Sequence, residues 1–346
     1  NLLLTKVITY QLQITEKQET DMREYQIGEK EAGQTLLKFL QKYLPLAPSS
    51  FFYKMLRKKN IKYNKQKAEG KEKLKTGDTI QFYLSDETLN NFQKESSHKT
   101  SSYRKAFEVL KGIPIVYEDD YILILNKPFG ILTQKASDQD LSLNEWLIGY
   151  LLHKGELSEE DLQTFHPSVC NRLDRNTCGL VLCSKTIKGG QVLSEWIRSR
   201  DVRKFYHLFV KGTGLQKECL KGYLKKDNKT NRVSVCRDAA SGDYIETRYA
   251  PLAEYGDKTL VEVELITGKT HQIRAHMASI GHPLLGDYKY GDREFNDRYR
   301  KKLGIQSQML CACRLEFPEC EDTFPDLSNR ILTIPEPELF EKLKFM

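Results

Sequence analysis

The sequence predicts an α+β fold, in which a mixed, largely antiparallel central sheet with flanking helices is joined to a small N-terminal domain. Strand-like apolar stretches and amphipathic stretches of helical period follow one another without a regular strand–helix–strand alternation. A polar stretch at 86–112 separates a short folded segment from a longer one. We therefore predict a small domain at 24–85, a flexible linker at 86–112 and a main domain at 113–346.

Composition places the chain among ordinary globular proteins. Its 346 residues suffice for about two domains, and 39% of them are hydrophobic. No apolar run reaches the roughly 18–20 residues of a membrane span, and the first residues do not resemble a signal peptide. The eight cysteines form no C-x-x-C pair, which is typical of reduced thiols. We expect a cytoplasmic monomer that does not bind membranes.

The small domain is predicted from helical and strand periodicity. Residues 1–23 are polar and carry no assigned role beyond a possible strand at 7–10. Leucines recur at helical spacing over 36–44, before a proline, and a second helix buries apolar residues over 49–59. Strands are predicted at 61–63 and 80–84.

Positive charge is concentrated in one part of this small domain. The whole chain carries a net charge of +7, and the segment 54–75 alone holds ten Lys or Arg and two Glu. Such a segment either binds a polyanion or forms a solvated lysine-rich face, and charge alone leaves both open.

The main domain alternates between strands and helices of different lengths. A capping box at Ser142 and Glu145 marks the start of one helix. Gly281 and Pro283 mark the end of another. We predict strands at 115–117, 121–125, 180–182, 204–212 and 261–265, and helices at 143–151, 187–199 and 273–280.

One carboxylate stands out in this domain. Asp174 lies between Arg172 and Arg175, shortly before Gly179 and a buried apolar strand. Loops beside rigid elements often carry function. Two cations would keep the carboxylate ionised, but residue types alone also fit a structural ion pair on a turn.

A resemblance to a known family favours a functional role for Asp174 over a structural ion pair. NRLDRNTCGL, at 171–180, resembles the catalytic motif HRLDRxTSGL of the RluA-like pseudouridine synthases, which isomerise uridine in RNA. Similar motifs follow in the family's order at 127–130, 204–212 and 267–291, so the resemblance spans about 113–346. Asn171 replaces the usual His and Cys178 the usual Ser; the role of Asn171 is left open.

The resemblance implies roles for named residues. Asp174 would be the catalytic aspartate, and Arg274 its ion-pair partner. Tyr206 would stack on the target uracil and help to remove the ring proton. Arg172 would fill the gap left by a flipped nucleotide, as in other enzymes that extrude a base.

Two further residues are weaker candidates for binding substrate. Arg175 is a candidate phosphate contact beside Asp174, and Lys127 matches a family position that shapes the pocket. Ordinary structural roles fit both equally well. The resemblance implies a central sheet crossed by the active-site cleft.

The small domain resembles the alpha-L RNA-binding domain of a small-subunit ribosomal protein. It departs from that domain at 35–37, where Thr-Leu-Leu replaces Arg-Leu-Asp. The resemblance implies that basic side chains of its second helix and the following loop contact RNA phosphates, which would position RNA without reading its sequence. These residues are Lys54, Arg57, Lys58, Lys59 and Lys62.

Metal and nucleotide chemistry is not indicated by the remaining motifs. His271 and His276 are five residues apart, whereas a helical zinc pair needs four. Gly268-Lys269-Thr270 lacks the earlier glycine of a phosphate-binding loop, because position 263 is Val. We therefore expect no metal and no cofactor.

The prediction is an RNA pseudouridine synthase acting on ribosomal RNA, with transfer RNA as an alternative target. Glycoside hydrolysis commonly needs two carboxylates, but here the base is recaptured, so one can suffice. That carboxylate acts either as a nucleophile at the sugar or as a base on a sugar proton. A non-catalytic RNA-binding or ribosome-assembly factor on the same fold, and a hydrolytic glycosidase, are the alternatives.

Overall fold

A computed structural model describes residues 22–93, 97–227, 229–230, 232–239 and 242–346, so the strand predicted at 7–10 lies outside the described residues. The chain forms two compact units. The first contains the described residues up to Lys105 together with Ile148–Pro167 and Lys185–Gly189. The second contains Ala106–Leu147, Ser168–Ser184 and Gly190–Met346.

The first unit combines two helices with a four-stranded antiparallel sheet. Its strands are β1 (Met22–Gln26), β2 (Ile61–Tyr63), β3 (Gln66–Lys67) and β4 (Thr79–Tyr83), in the order β1-β4-β2-β3. Its first helices are α1 (Leu36–Tyr43) and α2 (Ser49–Arg57). Phe39, Phe52 and Phe82 are buried in one core. Both helices and both strands predicted here, β2 and β4, are present.

The stretch 86–112, which we expected to be a flexible linker, is instead largely helical. Helix α3 spans Asp86–Phe92 and helix α4 spans Ser97–Val109. Ser85 caps α3 by accepting a hydrogen bond from the Thr88 N–H at 3.3 Å. The polar composition concealed a few buried positions, such as Leu89 and Tyr103, which stabilise the helices. The domain boundaries themselves stay a prediction.

The first unit also includes a segment that is distant in sequence. Asp161 forms an ion pair with Lys30 at 2.7 Å. The Thr164 hydroxyl donates to the buried carboxylate of Glu31 at 2.8 Å, and Tyr25 donates to the same carboxylate. A buried carboxylate is stable when its oxygens accept such hydrogen bonds. No local pattern in the sequence indicated that 148–167 belongs to this unit.

The second unit is built on one large sheet. Its strands are β5 (Ile115–Glu118), β6 (Ile122–Lys127), β7 (Ser168–Val169), β8 (Cys178–Ser184), β9 (Arg203–Lys211), β10 (Glu218–Asp227), β11 (Arg232–Cys236), β12 (Asp243–Tyr255), β13 (Lys258–Leu265), β14 (Leu310–Glu316) and β15 (Ile331–Thr333). The main order is β11-β10-β12-β13-β9-β14-β8-β6-β5. Only β8 and β14 pair in parallel among these neighbours. The predicted mixed, largely antiparallel sheet is confirmed.

Further helices lie along the rest of the chain, and the first two of them have residues in both units. They are α5 (Leu143–Lys154), α6 (Ile187–Ser199), α7 (Gln272–Ser279), α8 (Arg293–Leu303) and α9 (Glu338–Lys344). The first three were predicted; α8 and α9 were not. Among the described helices, none has the length and apolar character needed to cross a membrane. All eight cysteines are free.

Gly179 allows the two parallel strands to approach each other. Its φ of +115° is a conformation that L side chains rarely adopt, and a Cβ atom there would collide with the backbone of Ala312. The glycine lies at the start of β8, five residues after Asp174. It therefore fixes where the Asp174 loop leaves the sheet.

Candidate active site

The loop that carries Asp174 is held on both sides of this residue. Before it, the buried Thr133 hydroxyl donates to the Leu173 carbonyl at 2.7 Å and accepts from the Leu173 N–H at 3.1 Å. After it, the Arg175 carbonyl accepts from the Gly130 N–H at 3.0 Å. Side-chain position is most precise when neighbouring groups fix the backbone.

Lys127 supports the same loop from inside the protein. Its side chain is fully buried, and its Nζ donates to the carbonyls of Pro128, Ile131 and Arg175 at 3.1, 2.8 and 3.1 Å. Burial lowers the pKa of Lys127 to about 8, opposed by the charges of Cys178 and Asp174. The amine is thus engaged by the protein's own backbone, and the predicted role of Lys127 in binding substrate stays a prediction. The amine points away from solvent because three carbonyl acceptors converge on it.

Helix α7 brings the second predicted residue to Asp174. The Arg274 Nη1 atom lies 2.9 Å from the Asp174 Oδ2 atom, so the predicted contact is present. Arg274 is only 7% exposed. Burial opposes its charge, but hydrogen bonds and charge interactions with Asp287 and Asp174 outweigh burial and raise the pKa of Arg274. A buried arginine needs such carboxylates to remain stable.

Asp287 accepts more hydrogen bonds from Arg274 than Asp174 does, and it was not predicted from the sequence. Its two carboxylate oxygens accept from the Arg274 Nε and Nη2 atoms at 2.6 and 2.9 Å. The Oδ1 atom also accepts from the backbone N–H groups of Lys289 and Tyr290. Burial raises the pKa of Asp287, but the contacts with Arg274 dominate and lower it. The adjacent Gly286 and Asp287, within the motif at 267–291, are the sequence feature that could have indicated this carboxylate.

His271 lies near the same Asp174 carboxylate oxygen as Arg274. Its Nε2 atom is 3.8 Å from Asp174 Oδ2, and its Nδ1 atom is 2.9 Å from the Tyr290 hydroxyl. Its backbone is left-handed, with a φ of 56°. Burial lowers the pKa of His271, opposed by the charge of Asp174. Gln272 fixes this turn by accepting hydrogen bonds from Lys269 and Thr267.

Tyr206 lies on β9 in the middle of the sheet. It pairs with Val263 on one side and Ala312 on the other. Burial, together with the charge of Asp174, raises the pKa of Tyr206 well above its usual range, so the hydroxyl stays protonated. It lines one pocket with Arg172, Asp174, Lys269, His271 and Arg274. The structure thus brings all three predicted catalytic residues together.

The residues flanking Asp174 differ in placement. Arg172 is exposed and lines the pocket. Arg175 is exposed too, but its Nε donates to the Gly130 carbonyl at 3.1 Å, and it does not line the pocket. Asn171 accepts from the Leu182 N–H at 2.7 Å, so it satisfies the backbone of β8.

The basic residues of the first unit form an exposed group, which we call the basic face. Lys54, Arg57, Lys58 and Lys59 are exposed at the end of α2, and Lys62 is half-buried with its Nζ atom 4.5 Å from the Tyr83 ring centroid. Within the described residues, no group of three or more His, Cys, Asp or Glu side chains could hold a metal ion.

Comparison with known proteins defines the class. Residues 121–279 match the family model described as RNA pseudouridylate synthase. Ribosomal large subunit pseudouridine synthase C from Vibrio cholerae is 32% identical over 305 residues, covering 86% of this chain and 89% of the relative. The chain therefore belongs to the RNA pseudouridylate synthase family and is an isomerase.

Further relatives agree with this assignment. The enzyme of the same name from Escherichia coli K12 is 31% identical over 294 residues, covering 83% of this chain and 86% of the relative. Human RNA Pseudouridylate Synthase Domain Containing 4 shares the fold with a TM-score of 0.54 at 21% identity, covering 70% of this chain and 94% of the human one. The predicted resemblance to the RluA-like enzymes is confirmed.

Proposed function

We propose that this enzyme converts specific uridines of ribosomal RNA to pseudouridine, with Asp174 as the catalytic residue. The observation that carries the proposal is the Asp174–Arg274 ion pair in a pocket that Tyr206 also lines. The names of the relatives from Vibrio cholerae and Escherichia coli support the large ribosomal subunit as the source of substrate.

The proposed reaction breaks the glycosidic bond, rotates the uracil and rejoins it through carbon. Asp174 attacks the sugar or removes a sugar proton, and Arg274 holds its carboxylate in place. Tyr206 stacks on the uracil. Burial raises the pKa of Tyr206, so its hydroxyl is protonated when the uracil arrives.

The exposed arginines have different proposed roles. Arg172 occupies the space of the flipped nucleotide, supported by its exposed place in the pocket lining. Arg175 contacts a phosphate outside the pocket, supported by its exposure beside Asp174. Lys127 stabilises the Asp174 loop through its hydrogen bond to the Arg175 carbonyl and does not contact RNA.

We also propose that residues 24–85 act as an alpha-L-type domain that binds RNA. The two helices and the exposed basic face at the end of α2 support this role. We further propose a cytoplasmic monomer; the free cysteines and the ribosomal large subunit in the relatives' name support the cytoplasmic location.

The test is tritium release from RNA labelled at the uracil carbon that loses its proton. RNA from cells lacking this gene is incubated with the wild type or with Asp174→Asn, which keeps the side-chain shape but loses the charge. We expect release by the wild type and a loss of at least about 10³-fold in the variant. Free uracil would indicate a hydrolase. Tight RNA binding without release by either protein would support a binding factor.

A further inference from the structure

The turn from Asp287 to Tyr290 contacts the active-site helix and a strand at the edge of the large sheet. Tyr290 packs its ring against Arg274, whose guanidinium carbon is 5.1 Å from the ring centroid. Its hydroxyl accepts from the Val233 N–H of β11 at 3.0 Å and lies 2.9 Å from the His271 Nδ1 atom. Tyr290 therefore connects this turn to both Arg274 and His271.

The hydroxyl of Tyr290 determines which His271 nitrogen carries the proton. The oxygen already accepts one hydrogen bond from Val233, and within the described residues the hydroxyl proton has no acceptor other than His271 Nδ1. A hydroxyl that donates to Nδ1 leaves the proton of the neutral ring on Nε2.

The Nε2–H group then faces Asp174 without bonding to it. The 3.8 Å separation from Asp174 Oδ2 exceeds a hydrogen bond, and both residues line the pocket. A substrate oxygen that enters the pocket beside these two atoms, at about 2.9 Å from Nε2, could accept from it. The left-handed backbone of His271 is uncommon for a residue other than glycine, and such strain often persists at functional sites.

We propose that His271 donates its Nε2–H to an oxygen of the substrate uridine beside Asp174, and that Tyr290 is the positioning residue that fixes this tautomer. The proposal deepens the proposed function and depends on it for the identity of the substrate. Burial also keeps His271 neutral, since it lowers the pKa of the ring despite the charge of Asp174.

The tautomer is tested directly by ¹⁵N NMR of the histidine rings in the full chain, with the His271 signals assigned from their loss in His271→Gln. We expect a protonated Nε2 and an unprotonated Nδ1 in the wild type. Tyr290→Phe removes only the hydroxyl, so the Nδ1 resonance should lose the shift that an accepted hydrogen bond gives it. Tyr288→Phe is the matched control, because Tyr288 is exposed and its hydroxyl donates to Asp297 instead.

The role of His271 as a hydrogen-bond donor to the substrate is tested by the rate of tritium release. His271→Asn suits the left-handed backbone but does not reach as far as Nε2, so kcat/KM should fall about tenfold or more. His271→Gln places an amide N–H near the Nε2 position and should recover most of that activity. The kcat/KM of Tyr290→Phe should also fall about tenfold, while that of Tyr288→Phe stays near the wild-type value.

The outcomes separate the two proposals. A wild-type protein that releases no tritium contradicts the proposed function, while the NMR pattern still decides the tautomer. A proton on Nδ1 in the wild type overturns the role of Tyr290. Equal kcat/KM for the wild type and His271→Asn overturns the donor role, and thermal unfolding identifies any variant that loses activity through misfolding.

Discussion

At the scale of single residues, a charged side chain near Asp174 can either be available to bind substrate or be used in hydrogen bonds within the protein. Arg172 and Lys127 both lie near Asp174, yet Arg172 is exposed in the pocket lining and Lys127 is fully buried. The difference is the number of acceptors available: three carbonyls converge on the Lys127 amine. Residue type and motif position could not distinguish these two environments.

Asp287→Asn tests the ion pair in which Arg274 donates two hydrogen bonds to Asp287. Removing one partner of a buried ion pair typically costs about 3–5 kcal/mol, because the remaining charge is no longer compensated. We expect the variant to lower both the free energy of unfolding and the rate of tritium release. Chemical denaturation and the tritium assay measure the two effects.

Asp292→Asn is the matched control for this prediction. Asp292 caps α8 and pairs with Lys211 on the surface, and asparagine can keep the cap. Its effect should stay below about 1 kcal/mol. Similar decreases in both variants would contradict a special role for Asp287.

At the scale of elements, helix α7 packs its buried face against the sheet and aims Arg274 at Asp174. His276, on the same helix, is 1% exposed, and its Nδ1 atom lies 2.8 Å from the Thr247 hydroxyl of β12. Its Nε2 atom is buried without a hydrogen-bond partner in the described chain. The helix therefore carries a histidine whose protonation the fold resists.

This predicts a pH dependence of stability. Burial lowers the pKa of His276 to about 4, so the unfolded chain binds the proton more readily between that value and the ordinary histidine pKa of about 6.5. The free energy of unfolding should fall as pH decreases through this window, by roughly 1–3 kcal/mol, and change no further below it through this group.

Urea unfolding at several pH values measures this effect. His276→Asn removes the titrating ring and should flatten the curve, although His271 still contributes because its pKa is also lowered. Parallel curves for the wild type and the variant would contradict the prediction.

At the scale of the whole molecule, charge is distributed unevenly. The segment 54–75 holds an excess of positive charge that exceeds the net charge of the chain, and its basic face is exposed. The Asp174 pocket instead neutralises its buried charges locally, with Arg274 between two carboxylates. The proposed function therefore predicts that different residues attract the RNA and carry out the chemistry on one nucleotide.

Neutralising Lys54, Arg57, Lys58 and Lys59 together should weaken RNA binding and flatten its salt dependence. For every phosphate that the variant no longer neutralises, the slope of log affinity against log salt should decrease by about 0.7–0.9. The control neutralises four exposed cations of α8, namely Arg293, Arg300, Lys301 and Lys302. Equal slopes for the two variants would contradict a specific role of the basic face.

Sequence patterns were enough to predict the fold class and the principal strands, and the resemblance to the RluA-like enzymes implied the pairing of Asp174 with Arg274. These features depend on local periodicity and on motifs whose residues keep a fixed order. The tertiary structure was needed to reveal Asp287 and Tyr290 as partners of that pair, the burial of Lys127, and the helices at 86–112. Those contacts depend on which distant groups share a buried environment, and local sequence patterns do not specify that.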